Sequence, residues 1–514
     1  MTAAARGRWR LLDSRLRRNL ATNFLSQAWA VILGVGFVPV FLRLLGAEGY
    51  GLIGFATSLQ AVMGVLDLGL GTAANREFSR AGALASSSSQ LRTLLRTLEV
   101  PYFATAALIA LVLLPASPYF AHHWVQADAI PADTVRRCLM LLGLTIALRW
   151  PVGLYSGVLR GLEHQVALNV LVMVASTLRT AGLAVLLIAV QGDVMTYFLG
   201  LLLVGCLEVL TIALFAYRRI PRSKGQPGRF DAVLFRALWS FSWQVTLISL
   251  FATVLKQMDK VVISKLQPLS ALGYYSIAVT LSGGLSLVAA PVFGAVFPRL
   301  SALLTHGEER AAGRLYHRAA RLVALLGSPA ALALVFFANP ILLLWTGSPE
   351  VAARASAALS ALAVAMLLNS FMQLPYALQL AAGLTRIPLW TNGIGVLILA
   401  PALVLLVQEY GILGGGLTWA LFNLAYVGVI PYVMHRSVLR GQLTAWLLQD
   451  TLPFTSLAML CYGGAAWLFH LQSPALGAYF FLAFATAAYA GIVLMTWGRS
   501  VVRFGTSSDV RVAG

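Results

Sequence analysis

From residue 22 to residue 497 the chain alternates apolar runs of span length with short polar breaks. A helix crossing hydrocarbon needs about 20 mainly apolar residues, because each residue rises about 1.5 Å and no water is present to satisfy an open backbone group. That window predicts fourteen spans, near 22–44, 50–72, 97–116, 136–158, 166–189, 195–217, 237–257, 272–297, 321–344, 356–381, 388–408, 411–433, 452–470 and 476–497. The seventh runs into Lys256, Asp259 and Lys260, and the ninth contains Pro329 and ends near Pro340, so these two are the least regular. The expected fold class is an all-α polytopic membrane protein of about fourteen transmembrane helices.

Four features recur 223 or 224 positions apart: Gly49-Tyr50 with Gly273-Tyr274, Arg76 with Arg299, Pro151 with Pro375, and Asn169 with Asn392. A constant offset points to duplication of one six-span unit. Both copies begin on the same side, so the repeats are related by an axis along the membrane normal, a recurring transporter design. The expected organisation is an N-lobe at 1–217, a cytoplasmic linker at 218–236, a C-lobe at 237–433, and two C-terminal spans with a tail at 434–514. The last two spans either line a lipid-facing groove or pad the bundle.

Composition agrees with the pattern. Hydrophobic residues are 59% of the 514 positions and charged residues 11%, where a soluble domain carries about 25% charged residues. Three cysteines cannot make a disulfide framework. The balance of 37 Lys and Arg against 18 Asp and Glu is strongly basic, yet 28 of the 37 fall on one set of alternate connections, including Arg6 to Arg18, Arg76 to Arg96, Arg218 to Arg236 and Arg299 to Arg321. Short cytoplasmic loops retain basic residues, so the charge reads as orientation and not as a nucleic-acid surface, and both termini are expected in the cytoplasm. The basic N-terminus leads directly into the first long span, as an anchor does and a cleaved signal peptide does not.

Charges inside spans need a reason, since an arginine at the bilayer centre costs about 2.5–3.5 kcal/mol on insertion scales. Arg149 in span four and Arg179 in span five fall near mid-depth, and Glu208 in span six is the expected acid at that level. One carboxylate cannot neutralise two guanidinium groups, and forked guanidinium donors match phosphate oxygens, so an anionic head group is the expected ligand. Arg43, Lys256 and Lys260 extend the basic path or simply snorkel. The second half offers Asn369, Gln373, Gln379, Asn392 and Asn423 in place of cations, suited to hydroxyl-rich groups or to bonds between helices. Asp67, Glu208 and Asp259 are the ion-coupling candidates, with pairing of Asp67 to Arg76 and of Asp259 to Lys260 as the structural reading. Pro39, Pro101, Pro151, Pro291, Pro375 and Pro431 are expected to bend their spans.

All seven histidines are placed in loops or at span ends, without metal-ligand spacing, and no phosphate-binding glycine loop is present. No cofactor, metal site or catalytic residue is expected, and the short outward loop at about 117–135 leaves little room for a sugar polymerase's chemistry.

The order Asn23-Phe24, Pro39, Leu45-Gly46-Ala47-Glu48-Gly49-Tyr50-Gly51, Leu66-Asp67-Leu68-Gly69-Leu70 and Asn75-Arg76-Glu77, then Gln257-Met258-Asp259-Lys260, Leu374-Pro375-Tyr376, Ala382-Gly383, Tyr410-Gly411-Ile412 and Asn423 resembles the Wzx-type polysaccharide flippases. These belong to the multidrug/oligosaccharidyl-lipid/polysaccharide exporter superfamily. The resemblance implies a two-lobed bundle of fourteen helices that moves an undecaprenyl-diphosphate-linked oligosaccharide across the bacterial inner membrane by alternating access. Ion or proton coupling is left open. Its expected partners are that glycan and membrane lipids, with a polysaccharide polymerase and a chain-length regulator as candidates. A multidrug cation exporter and a peptidoglycan lipid-precursor flippase are the alternatives within the superfamily.

Overall fold

The computed structural model describes residues 3–67, 69–83, 88–220, 229–384, 386–472 and 477–506. Leu68, Arg222, Lys224 and Arg511 lie outside the described residues, and the side chains of Arg6, Arg8, Arg10, Arg15, Arg17, His470, Arg499 and Arg503 are also outside them. The backbone divides into two compact units, Met1–Ser276 and Ile277–Gly514.

The first unit holds α1 (Ala3–Met63), α2 (Leu70–Ala83), α3 (Ser88–Tyr119), α4 (Ala132–Arg149), α5 (Val152–Gly161), α6 (Gln165–Thr177), α7 (Leu183–Ala189), α8 (Val194–Arg219) and α9 (Ala232–Leu266). Helix α10 (Leu269–Gly283) carries the unit boundary. The second unit continues with α11 (Ser286–Thr305), α12 (Glu309–Phe336), α13 (Ala338–Thr346), α14 (Pro349–Ala381), α15 (Arg386–Tyr410), α16 (Ile412–Ser437), the short α17 (Leu443–Ala445), α18 (Leu452–Gln472) and α19 (Gly477–Thr506). Among the described residues, twelve helical stretches are long and apolar enough to cross a membrane. One of them, Ala21–Asp67, is 47 residues long, and Gly46 breaks it with φ 70° and ψ 178°. That break coincides with the turn expected between the first and second spans, where only glycine takes a positive φ at no steric cost.

Several expected spans are interrupted. The second stops at Met63 and passes through a 3₁₀ turn, Gly64–Asp67, before α2 begins. The fourth breaks at Trp150-Pro151, between α4 and α5, because Pro151 brings no N–H to the ladder. Pro375, 224 positions on, sits inside a continuous α14. In the fifth, a π-helical turn at Leu178–Gly182 replaces the regular helix around Arg179. The eighth parts between Gly283 and Ser286, and the ninth ends at Phe336, leaving Pro340 in the separate α13. Pro39, Pro101, Pro291 and Pro431 lie within helices as expected.

The first unit's core lies where α2, α3, α5 and α8 meet, around Phe78, Leu98, Tyr102, Leu154, Val158 and Ile212. The turns near Gly51 and Gly273 also touch. A Cβ on Gly51 would fall 2.0 Å from the Leu269 carbonyl oxygen, and one on Gly273 would fall 2.2 Å from that of Ala47, so only side-chain-free backbones approach this closely. Beside them Glu48 accepts backbone N–H bonds from Asp128, Ala129 and Ile130 at 2.9–3.0 Å, which fixes the loop after α3.

Candidate functional site

Arg149 is the last residue of α4, one position before the proline break, and Arg179 projects from the π-helical turn. A π turn rotates the side chains that follow it relative to a regular helix and is frequent at functional sites. Both arginines end on one oxygen of Glu208 in α8: Arg149 Nε donates to Oε2 at 2.8 Å and Arg179 Nη1 donates to the same atom at 2.5 Å. The Glu208 side chain is only 4% exposed, and each arginine retains 22%. The expectation that the three charges share one level therefore holds in space, with one acid serving two bases. Two guanidinium charges and one carboxylate leave a net positive charge in an apolar surrounding, which suits a second anion.

Arg149 also lines a cavity of about 420 Å³ with Gln60, Gly64, Asp67, Ile146, Trp150 and Gly153. This placement corrects the reading of Asp67. It does not lie against Arg76; its carboxylate accepts the Tyr102 hydroxyl and the Gly71 N–H, the latter at 3.2 Å. Arg76 pairs with Glu77 at 3.8 Å. The 3₁₀ turn Gly64–Asp67 turns Asp67 inward, a geometry that a continuous span would not have produced. With Asp67 ionised the three acids and bases around Arg149 gain a second negative group; with it protonated the cavity keeps its positive charge.

Asp259, in α9, is buried and accepts from the Tyr275 hydroxyl at 2.7 Å and from the backbone N–H of Lys260 at 2.8 Å. The expected partner is thus its neighbour's backbone, with a tyrosine hydroxyl added. Arg43 and Lys256 are exposed and Lys260 is half-buried, and none of the three lines the cavity.

In the second unit the amides bind each other. Gln373 Nε2 donates to Asn369 Oδ1 at 3.3 Å, Asn369 Nδ2 donates to Asn423 Oδ1 at 3.1 Å, and Asn423 Nδ2 donates to the Trp419 carbonyl at 2.9 Å. This ladder joins α14 to α16. Gln373 and Asn369 are half-buried, whereas Asn423 is fully covered.

Two charged positions escape the depth argument. Glu99 of α3 is buried and takes hydrogen bonds from Tyr155 at 2.9 Å, from Tyr217, and from Arg96 at 2.8 Å. Its signal was an acid two residues inside a predicted span. His317 is not in a loop but within α12, whereas His435 lies in the last turn of α16, at a span end as expected; His317 binds Asp450 and His435 packs beside the same cluster.

An all-helical polytopic chain with paired charges buried in its spans has the build of a membrane transporter. Residues 16–304, more than half of the chain, match the family model described as polysaccharide biosynthesis protein, and the chain belongs to that family. Residues 245–405 also match the MatE model. A Shigella flexneri protein proposed to be an O-antigen transporter is 22% identical over 407 residues, covering 79% of this chain and 94% of that one. Among solved structures the fold is similar to the lipid II flippase MurJ in an inward closed conformation, with TM-score 0.73, 14% identity, and coverage of 94% of this chain and 99% of that one. It is also similar to an inward-facing multidrug resistance MATE family transporter of the MOP superfamily, with TM-score 0.64, 15% identity and coverage of 82% and 96%.

Proposed function

We propose that this chain is a flippase that carries a lipid-diphosphate-linked oligosaccharide from the inner to the outer leaflet for surface polysaccharide synthesis. The observation that carries the reading is the convergence of Arg149 and Arg179 on the single carboxylate of Glu208, in a chain of the polysaccharide biosynthesis family. A diphosphate approaching the cavity would meet Arg149 on its wall, whose carboxylate partner is shared with Arg179, and guanidinium holds phosphate oxygens through parallel N–H donors. A phosphate oxygen would join Glu208 Oε2 as a further acceptor, since each guanidinium carries more N–H donors than the one it gives to Glu208.

In this reading the lipid is undecaprenyl diphosphate, the membrane is the bacterial inner membrane, both termini are cytoplasmic, and six-helix lobes alternate access. Asp67 is the favoured ion-coupling group because it shares the cavity wall with Arg149; Glu208 and Asp259 are secondary. Gln373 and Asn369 meet the glycan's hydroxyls, Arg43 and Lys260 guide the anion, and a polymerase with its chain-length regulator receives the product. The chain does not act as an enzyme.

The match of residues 245–405 to the MatE model favours one second reading, export of organic cations. Arg149→Ala and Arg179→Ala, alone and together, separate the two in a strain that depends on this chain. Loss of surface polysaccharide with unchanged drug tolerance is expected. Lost drug tolerance with intact polysaccharide would replace the flippase by the exporter.

A further inference from the structure

The second unit contains a polar cluster that neither the cargo nor its cavity uses. Asp450 is fully buried, in the π-helical turn Trp446–Thr451 that leads into α18. One of its oxygens accepts Arg321 Nε from α12 at 2.6 Å, and the other binds His317 Nδ1. The opposite ring nitrogen, His317 Nε2, lies 2.7 Å from Gln442 Oε1. Gln442 in turn lines a polar pocket of about 450 Å³ with Glu309, Arg310, Ser437, Leu439 and Arg440. From α16, His435 faces His317; it spends its Nδ1 on the Pro431 carbonyl at 2.7 Å, and its buried Nε2 has no partner. The Tyr316 hydroxyl is buried beside the same group without a partner.

An ionised carboxylate and an amide oxygen are both acceptors only, so an imidazole held between them must donate from both nitrogens. As the imidazolium, His317 adds its charge to that of Arg321 opposite the single charge of Asp450. We propose that His317, held by Asp450, Arg321 and Gln442, is a proton-binding site that fastens α12 to the α18–α19 helix pair. On deprotonation the Nε2–H bond breaks, the electron pair stays on Nε2, and water in the pocket takes the proton. The Gln442 amide must then turn so that its NH₂ donates to the bare nitrogen, while Nδ1–H remains on Asp450. The Nδ1–H bond to the Asp450 carboxylate remains, but the ion pair between the two is lost, and attraction between opposite charges in a part-buried site is stronger than in water.

The consequence is mechanical. The α18–α19 pair is held to α12 by this cluster, by Ser328 with Thr455 at 3.1 Å, and by the Tyr489 hydroxyl on the Leu325 carbonyl at 2.9 Å. The cluster is the only one of these three attachments that a proton can weaken.

The proposal needs no cargo, so it stands or falls separately from the flippase reading. Full-length protein in lipid nanodiscs, with isotope-labelled histidine, is titrated over roughly pH 5–8, the window in which imidazole exchanges its proton. Magnetic resonance reads the protonation of each ring, and hydrogen exchange reads the amides of 446–455. Expected is a transition of the His317 ring from doubly to singly protonated. Exchange at 446–455, corrected for the pH dependence of free amides, should rise with it by about tenfold, as the bond to Asp450 loses its ionic character. His317→Gln should abolish both, and Gln442→Leu should move the midpoint of both. A His317 ring that does not titrate, or protection at 446–455, relative to free amides at the same pH, that still changes with pH in H317Q, overturns the proposal. If H317Q does not fold, an unchanged titration in Q442L overturns it equally.

Discussion

Gly205 carries the aliphatic stem of Arg149: a Cβ added there would lie 2.7 Å from Arg149 Cδ and 2.9 Å from Cγ. Gly205 sits one turn before Glu208 on α8, so the bare patch that admits the arginine and the acid that receives it share one helix face. The geometry of the pair depends on a residue without chemistry of its own.

Gly205→Ala should therefore lower transport although it favours the helix. Propensity gains about 1 kcal/mol on replacing glycine, whereas overpacking a filled contact costs about 1–3 kcal/mol. The contact should win, and Gly205→Leu should be worse. Surface polysaccharide in a dependent strain, read beside thermal stability of purified protein, checks the order glycine, alanine, leucine.

Removal of Glu208 should harm the protein more than removal of either arginine. Glu208→Gln leaves two buried cations without an acid, and breaking a buried pair costs about 3–5 kcal/mol. Arg149→Met or Arg179→Met leaves one complete pair. Replacing all three by apolar residues of like size should restore much of the stability while transport stays lost. Denaturation midpoints of the four variants decide this, and a stable E208Q protein would contradict it.

Asp67→Asn keeps an acceptor for Tyr102 and removes the charge from the cavity wall. If Asp67 couples an ion to transport, the pH dependence of transport flattens in D67N while folding is retained. Tyr102→Phe should instead cost about 1–3 kcal/mol of stability, because the half-buried carboxylate loses a donor. Transport measured across pH in both variants distinguishes coupling from packing.

The amide ladder divides into ends with different duties. Asn423→Ala should lower stability by about 1–2 kcal/mol, since it strands its partners on α14. Gln373→Ala, at the open end, should leave stability nearly unchanged and reduce transport. Equal effects of the two on stability would assign the whole ladder to helix packing.

Burial of apolar runs, their spacing and the basic residues between them were legible along the chain, because hydrocarbon admits few ways of satisfying a backbone. The gathering of Arg149, Arg179 and Glu208 could be argued too, since depth follows from counting residues along a helix. Asp67 could not be placed that way. Its direction depends on the 3₁₀ turn at 64–67, and that break is set by packing against Tyr102 and α5, which no local pattern records.

The sequence by itself determined that this is a many-span helical membrane protein with more basic than acidic groups at mid-span in its first half. Only the tertiary structure decided that one oxygen serves two arginines, that the second half's amides bind each other, and that His317 meets Asp450 across 133 positions of chain. The physical reason is that hydrophobicity acts on each segment separately, whereas hydrogen bonds and ion pairs need particular atoms from different segments within about 3 Å.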